Sequence, residues 1–310
     1  MKIFRRLEEI RGLEGSVVTI GNFDGVHRGH LRLLEVLRKA ADDMKLPAVV
    51  MTFDPHPAVI LRGVEPGPIN WVERKLSLLS QAGVDIVLAY PTDRRLLELS
   101  PEAFFYEVLR DQLGARVIVE GEDFRFGRDR TGDTEMLRQL CEKEGIGCTV
   151  VPPVVWQGAP VSSSRIRECL MCGDVVEAAQ LMSRPFRTCG EVVRGAGRGR
   201  TLGFPTANLE KVRTLLPQPG IYAGAVPLGN QIYPAAISLG GNPTFDESQM
   251  KLEVYIVDFT GNLYGREVQV DFLQRLRDIK RFASAEELIA QMSDDVEKTR
   301  EIVRRCDMIQ

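Results

Sequence analysis

The sequence predicts an α/β protein followed by a β protein: an N-terminal doubly wound parallel sheet of Rossmann-like type, then a small antiparallel β-barrel closed by a helix. Three observations carry this. Between Gly15 and Val151 short apolar runs alternate with helical patterns, as in sheets covered by helices on both faces. Beyond Arg187 the chain is strand-rich, with glycine-containing turns at short spacing. Between the two, Ser183-Arg184-Pro185-Phe186 breaks a helical stretch that runs from about Ser164, with a kink allowed near Gly173. A chain of 310 residues suits two domains, since domains commonly run to roughly 100–200 residues. We set them at 1–184 and 185–310.

In the first half the expected strands are Val17–Ile20, Ala48–Phe53, Val84–Tyr90, Arg116–Val119 and Gly147–Val151. Helices are expected at Arg32–Met44, Arg74–Gln81, Pro101–Leu113 and Thr134–Glu144. Ligands of such sheets sit beyond the carboxyl ends of the strands, and the chemically interesting residues fall there. The first strand empties into Gly21-Asn22-Phe23-Asp24-Gly25-Val26-His27-Arg28-Gly29-His30. That is a strand, a tight glycine turn and a helix N-terminus, the arrangement that receives phosphate. The chain has three histidines, and His27, His30 and His56 all lie in its first sixty residues. His56 belongs to Asp54-Pro55-His56-Pro57 after the second strand. Gly121-Glu122-Asp123-Phe124-Arg125-Phe126-Gly127 follows the fourth, and Ser162-Ser163-Ser164-Arg165-Ile166-Arg167 comes after the fifth.

The glycine loop is neither a Walker A loop nor GxGxxG. Its histidines could be core residues, metal ligands or groups that stabilise charge on a transferring phosphoryl group. Without carboxylates or cysteines at ligand spacing, metal is the weakest of the three. The serines and arginines of 162–167 read either as an ordinary N-cap with an exposed arginine face or as a polyphosphate site. Expected placement at the same sheet edge favours phosphate.

The second half offers strands at Gly190–Arg194, Gly220–Val226, Gln231–Leu239, Leu252–Phe259 and Glu267–Leu273, and an amphipathic helix at Ala285–Cys306. A glycine–arginine loop from Gly195 to Gly203 runs into Pro205-Thr206-Ala207-Asn208. Its N–H groups can wrap phosphates. Thr206 and Asn208, two apart in extended chain, point the same way, and their oxygens suit a magnesium ion that keeps its waters. The other reading is an arginine-rich surface loop touching RNA, which the overall acidity disfavours. Glu253 enters Leu252–Phe259, a run apolar on both faces. It is either a rim glutamate or a carboxylate whose partial burial suits it to general-base work.

A composition of 44% hydrophobic and 27% charged residues is that of a soluble globular protein. The net charge of −3 argues against a general nucleic-acid binder. No signal-peptide core opens the chain and no run is of bilayer length. We therefore expect a cytoplasmic protein with neither membrane nor nucleic-acid partner; no feature speaks to oligomeric state. Six cysteines fit a reducing compartment. Cys169-Leu170-Met171-Cys172 lacks a second pair and a nearby histidine, so it reads as two small apolar residues on neighbouring helical turns rather than as zinc ligands.

These motifs carry a resemblance. The glycine–histidine loop is similar to the (H/T)xGH-type signature of nucleotidyltransferases. TIGNFDGVHRGH with MTFDPHP, GEDFRFG and SSSRIR resembles the adenylyltransferase half of the prokaryotic bifunctional riboflavin kinase/FAD synthetase family. GRGRTLGFPTANL, Gly220-Ile221-Tyr222-Ala223, Gly240-Gly241-Asn242-Pro243-Thr244-Phe245 and LEVYIVDF resemble its riboflavin kinase half, in the family's order. The resemblance implies ATP-dependent phosphorylation of riboflavin to FMN, then adenylylation of FMN by ATP to FAD and pyrophosphate. It implies that Thr206 and Asn208 hold magnesium and that Glu253 is the catalytic base. His27, His30 and Arg165 become the candidates for charge stabilisation in adenylyl transfer. Gly21, Asn22, Phe23, Asp24, Gly25, Ser163 and Ser164 are assigned to ATP and its phosphates, as are Gly195 and Gly203 in the second half. His56, Pro57, Asp123 and Phe124 are the flavin candidates. The rival readings are a chain with one working half, and a non-catalytic nucleotide or RNA binder.

Overall fold

In a computed structural model, described over residues 1–10, 13–63, 67–242 and 247–307, the chain forms two compact units, Met1–Ser162 and Ser163–Gln310. The first unit runs β1 (Lys2–Phe4), β2 (Ser16–Ile20), α1 (Arg28–Met44), β3 (Ala48–Phe53), α2 (Pro57–Arg62), α3 (Val72–Gln81), β4 (Ile86–Tyr90), α4 (Arg94–Leu97), α5 (Pro101–Ala103), a π-helical stretch Phe104–Gln112, β5 (Ala115–Gly121), α6 (Thr134–Glu144), β6 (Gly147–Val151) and a small hairpin of β7 (Val155–Trp156) and β8 (Ala159–Pro160). The six-stranded sheet has the order β1-β4-β3-β2-β5-β6, with every pair parallel.

The strands are apolar throughout because both faces are covered. Alternation sends Val18, Ile20, Val49 and Met51 to one face, against Phe105 and Leu109. It sends Val17, Val50 and Val87 to the other, against Leu34 and Leu37 of α1 and Leu79 of α3. From β2 the order runs to β3 and β4 on one side and to β5 and β6 on the other. The carboxyl ends of β2 and β5 therefore flank a topological switch point.

Four departures from the sequence reading have local causes. Strand β1 is too short to show a period. Helix α1 starts at Arg28 rather than Arg32, because the His27 side chain caps it by accepting the His30 N–H. The expected helix Pro101–Leu113 widens into π geometry after Ala103. The kinked helix expected from Ser164 is two helices, α7 (Ser163–Met171) and α8 (Val175–Met182). Gly173 sits between them at φ +80°, and Asp174 caps α8 through the Glu177 N–H.

The second unit continues with β9 (Phe186–Val193), α9 (Arg198–Thr201), β10 (Ala207–Glu210), β11 (Gly220–Leu228), β12 (Gln231–Asn242), β13 (Glu247–Ile256), β14 (Glu267–Arg277) and α10 (Ala285–Asp307). Its six strands close into an antiparallel barrel in the order β10-β13-β12-β11-β14-β9. The interior holds Phe186, Tyr222 and Phe272, all fully buried. The Phe272 ring lies 5.9 Å from Phe186 and 5.2 Å from Tyr222. Helix α10 packs on β11, β12 and β14, and α8 on β9 and β14.

Strand β10 is absent from the sequence reading. It has four residues and follows a proline, yet it closes the barrel between β9 and β13. The reading of Leu252–Phe259 as apolar on both faces is also corrected. Leu252, Val254 and Ile256 are buried, whereas Glu253 and Tyr255 on the other face are half-exposed. Val257 lies beyond the strand, and Glu253 shares its face with Lys251 and Tyr255. Of the CxxC, Cys169 is buried and Cys172 exposed, so the apolar reading holds for the first only. Pro243, Thr244 and Phe245 lie outside the described residues.

Phe272→Ala would open a void between two other buried rings. We expect it to destabilise the barrel by about 3–5 kcal/mol, measured as the shift in urea unfolding of the full chain.

Candidate active sites

In the first unit the loop after β2 turns sharply. Phe23 and Val26 take φ of +48° and +38°, and Gly25 takes +82°. Side chains rarely adopt that region, and it persists only where neighbours hold it. The holders are identifiable. The Asp24 carboxylate accepts the N–H groups of Ile69 and Asn70, each at 3.1 Å. The Asn22 carbonyl accepts Thr52 Oγ1 at 3.0 Å and Lys75 Nζ at 3.3 Å. Asp24 thus shapes the loop through its carboxylate, an acceptor that offers nothing to a phosphate.

His27 and His30 come together at the start of α1. Their rings stack at 3.7 Å and 15°. His27 is buried and its Nδ1 accepts the His30 N–H at 3.3 Å. Nε2 is then the nitrogen that carries the proton of a neutral ring. His56 joins the same edge. Its Nδ1 accepts the Ala58 N–H and caps α2, while its Nε2 lies 2.9 Å from the Asn22 amide. With Nδ1 as acceptor, the neutral ring donates from Nε2, so the Asn22 side-chain oxygen belongs at that contact. Phe124 stacks on Phe126 at 5.5 Å and 12°, and packs with Phe53 and Tyr90 against one core cluster. Pro57 opens α2, and Asp123 is exposed. Ser163, Ser164 and Arg165 open α7 in the second unit. Arg165 pairs with Glu177 at 2.5 Å.

Two buried charges behind the loop escape sequence reasoning. Glu120, 1% exposed, accepts the Ile20 N–H at 2.7 Å. Burial pushes its carboxyl well above the ordinary range, against the bond from the Ile20 N–H that favours the charge. Lys75, 7% exposed, lies on the apolar stripe of α3 with Leu78 and Leu79. The available signals were an acid ending the apolar run Arg116–Val119 and a lysine four residues before Leu79.

In the second unit Thr206, Asn208 and Glu253 line one open cavity. Asn208 and Glu253 are directly opposed on β10 and β13, and Ser238 of β12 opposes Glu253 from the other side. The loop before β10 lies against this row. A Cβ on Gly195 would come within 2.3 Å of the Asn208 amide, so only glycine allows the approach. Part of the loop is the short helix α9, with Gly197 at its start and Gly203, at φ +90°, after it.

The lining also has an apolar part, with Phe204 edge-on to Tyr255 at 5.4 Å and with Phe282, Leu288 and Met292. Arg277 and Asp295 also line the cavity, joined at 2.7 Å with Asp295 almost wholly buried. A second cavity, lined by Arg194, Lys211 and Gly195, shares Ala196, Asn208 and Lys251 with the first.

Family comparison divides the chain in the same sense. The FAD synthetase model matches residues 9–165, and the riboflavin kinase model residues 182–303. The bifunctional riboflavin kinase/FMN adenylyltransferase of Escherichia coli K12 is 37% identical over 305 residues, covering 97% of each chain. That of Pseudomonas fluorescens is 37% identical over 303 residues, again covering 97% of each. A crystal structure from Streptococcus pneumoniae, described as a macrolide-efflux protein, superposes with a TM-score of 0.88 at 36% identity. It covers 96% of this chain and 98% of its own. Among the described residues no helix is long and apolar enough to cross a membrane.

Glu120 yields a stability prediction. Its folded pKa lies above the ordinary 4.5, so the native state binds more protons than the unfolded chain between the two values. Stability from this group therefore falls as pH rises through that window. Glu120→Gln keeps an acceptor for the Ile20 N–H and cannot ionise. We expect its melting temperature to match the wild type in acid and to exceed it at pH values above the window, in a thermal scan across pH.

Proposed function

The chain belongs to the bifunctional riboflavin kinase/FMN adenylyltransferase family, and on that premise we propose that residues 185–310 phosphorylate riboflavin and residues 1–184 adenylylate the FMN so formed, with ATP as co-substrate of both. The observation that carries the kinase reading is the opposition of Glu253 and Asn208 across β10 and β13 in one cavity. Glu253 takes the proton of the ribityl 5′-hydroxyl, whose oxygen attacks the γ-phosphorus of ATP as ADP leaves. The apolar lining of Phe204, Tyr255, Phe282 and Met292 suits the flavin ring, and the N–H groups of the Gly195–Gly203 loop suit phosphates.

The donor set fits magnesium. Thr206 and Asn208 bring a hydroxyl and an amide oxygen, hard neutral ligands, to the cavity that holds Glu253, and Gly195 leaves the Asn208 amide room. These two residues would hold the ion, which when bound supplies charge neutralisation at the phosphates.

In the first unit the FMN phosphate attacks the α-phosphorus of ATP and pyrophosphate leaves. The attacking oxygen is already ionised, so the work is positioning and charge stabilisation rather than proton abstraction. His27 and His30, stacked at the N-terminus of α1, are assigned to that charge. Arg165 is assigned to that charge as well, and the Gly21–Gly25 turn, Ser163 and Ser164 to the phosphates. His56, Pro57, Asp123 and Phe124 remain the candidates for flavin contact.

Riboflavin, ATP and magnesium incubated with the full chain should give FMN and then FAD, resolved by chromatography over time; riboflavin left unchanged would overturn the proposal. Glu253→Ala and Asn208→Ala should lower FMN formation by about 10²–10⁴-fold and spare FAD formation from supplied FMN. His30→Ala should lower FAD formation by about 10²–10³-fold and spare FMN formation. Loss of both steps in a folded variant would contradict this division.

A further inference from the structure

Lys75 stands directly behind the turn that the first unit presents at its sheet edge, and no step above uses it. Its Nζ donates to the Asn22 carbonyl at 3.3 Å, to Thr52 Oγ1 at 3.2 Å and to the Phe53 carbonyl at 3.1 Å. Three acceptors match the three protons of an ammonium. They lie beyond the carboxyl end of β2 and at that of β3. Burying a charge is costly even when it is fully bonded. An apolar residue at position 75 would simply continue the stripe of Leu76, Leu78 and Leu79.

The Asn22–Phe23 peptide shows what the charge does there. Its carbonyl is held by Lys75 and Thr52 from behind. A planar trans peptide directs its N–H away from its carbonyl, so the Phe23 N–H faces the opposite side. Among the described residues neither the Asn22 nor the Phe23 N–H donates to a protein group. Phe23 holds φ +48° in this turn, a conformation that a bond at its preceding carbonyl helps to maintain. The ammonium also sets a full positive charge behind these amides, where burial weakens screening.

We infer that Lys75 is a positioning residue for adenylyl transfer: it clamps the Asn22–Phe23 turn so that the turn, with the charge behind it, receives the nucleotide phosphates. This rests on the adenylyl-transfer reading of the first unit. Burial lowers the lysine's pKa below the ordinary 10.5; the charges that act on it, Asp24 of the loop and Asp54 after β3, oppose that fall. The clamp should therefore release at a pH where an exposed lysine is still charged.

The test uses the full chain, with FAD formation from FMN, ATP and magnesium measured beside FMN formation from riboflavin. A wild type that makes no FAD overturns the underlying reading and is distinguishable from failure of the clamp. Given wild-type FAD formation, Lys75→Gln and Lys75→Met are expected to lower its kcat by about 10²-fold and to leave FMN formation unchanged. The wild-type kcat for FAD should fall on an alkaline limb below pH 10.5, and that limb should be missing from Lys75→Gln. Wild-type kcat for FAD, a folded Lys75→Gln with unaltered kcat, or a limb that persists in it would overturn the inference if the first stays flat to pH 10.5 or either of the others is found. Should Lys75→Gln not fold, Lys75→Arg decides: a limb moved to higher pH supports the clamp, and an unmoved limb overturns it.

Discussion

Burial of the parallel sheet on both faces governs the first unit. With β2 wholly buried and β3 nearly so, polar chemistry finds room only where the strands end. The strand order divides at β2, so the polar groups that do enter gather at the carboxyl ends beside it. Asn22, Asp24, His27 and His30 follow β2 and His56 follows β3, and hydrogen bonds weld these two loops to each other and to a third before α3. The Asn22–His56 contact ties the first to the second, and the Asp24 bonds tie the first to Ile69 and Asn70.

The barrel solves the same problem differently. Its strands alternate, with Leu252, Val254 and Ile256 inside and Glu253 and Tyr255 on the half-open face. A row of opposed residues, Asn208, Glu253 and Ser238, then runs across three strands. Register alone aligns them. A one-residue slip of β13 would turn Glu253 into the barrel core and break the row. The short β10 is therefore as consequential as any long strand, because it sets where Asn208 stands.

Much of this was legible in the sequence. The limits of Ala48–Phe53, Thr134–Glu144 and Gly147–Val151 follow from apolar runs and their flanking turns, and the histidine cluster marked the loop that they surround. What escaped was what periodicity cannot carry. Strand β10 has too few residues to show alternation and is stabilised by its neighbours on both sides. Lys75 and Glu120 each interrupt an otherwise apolar pattern, and in sequence an interruption looks like a surface residue. Only the fold shows that the lysine's stripe faces inward and that the glutamate ends a strand buried against β2. Alternation puts Glu253 and Tyr255 on one face, but strand β13 ends at Ile256, where alternation stops being a guide.

The two missed charges belong to one arrangement. Gly21 lies between Ile20, whose N–H is taken by Glu120, and Asn22, whose carbonyl is taken by Lys75. Side chains thus hold the main chain on both sides of the glycine, one by an acceptor and one by a donor. Their charges do not cancel. Burial drives Glu120 towards its neutral form, whereas Lys75 meets three acceptors that favour its proton. The ammonium and the N-terminus of α1 attract an anion there, and the Asp24 carboxylate of the same turn opposes them. A glutamate that ionised here would also oppose them, so the same burial that weakens it as an acid limits the negative charge at the turn.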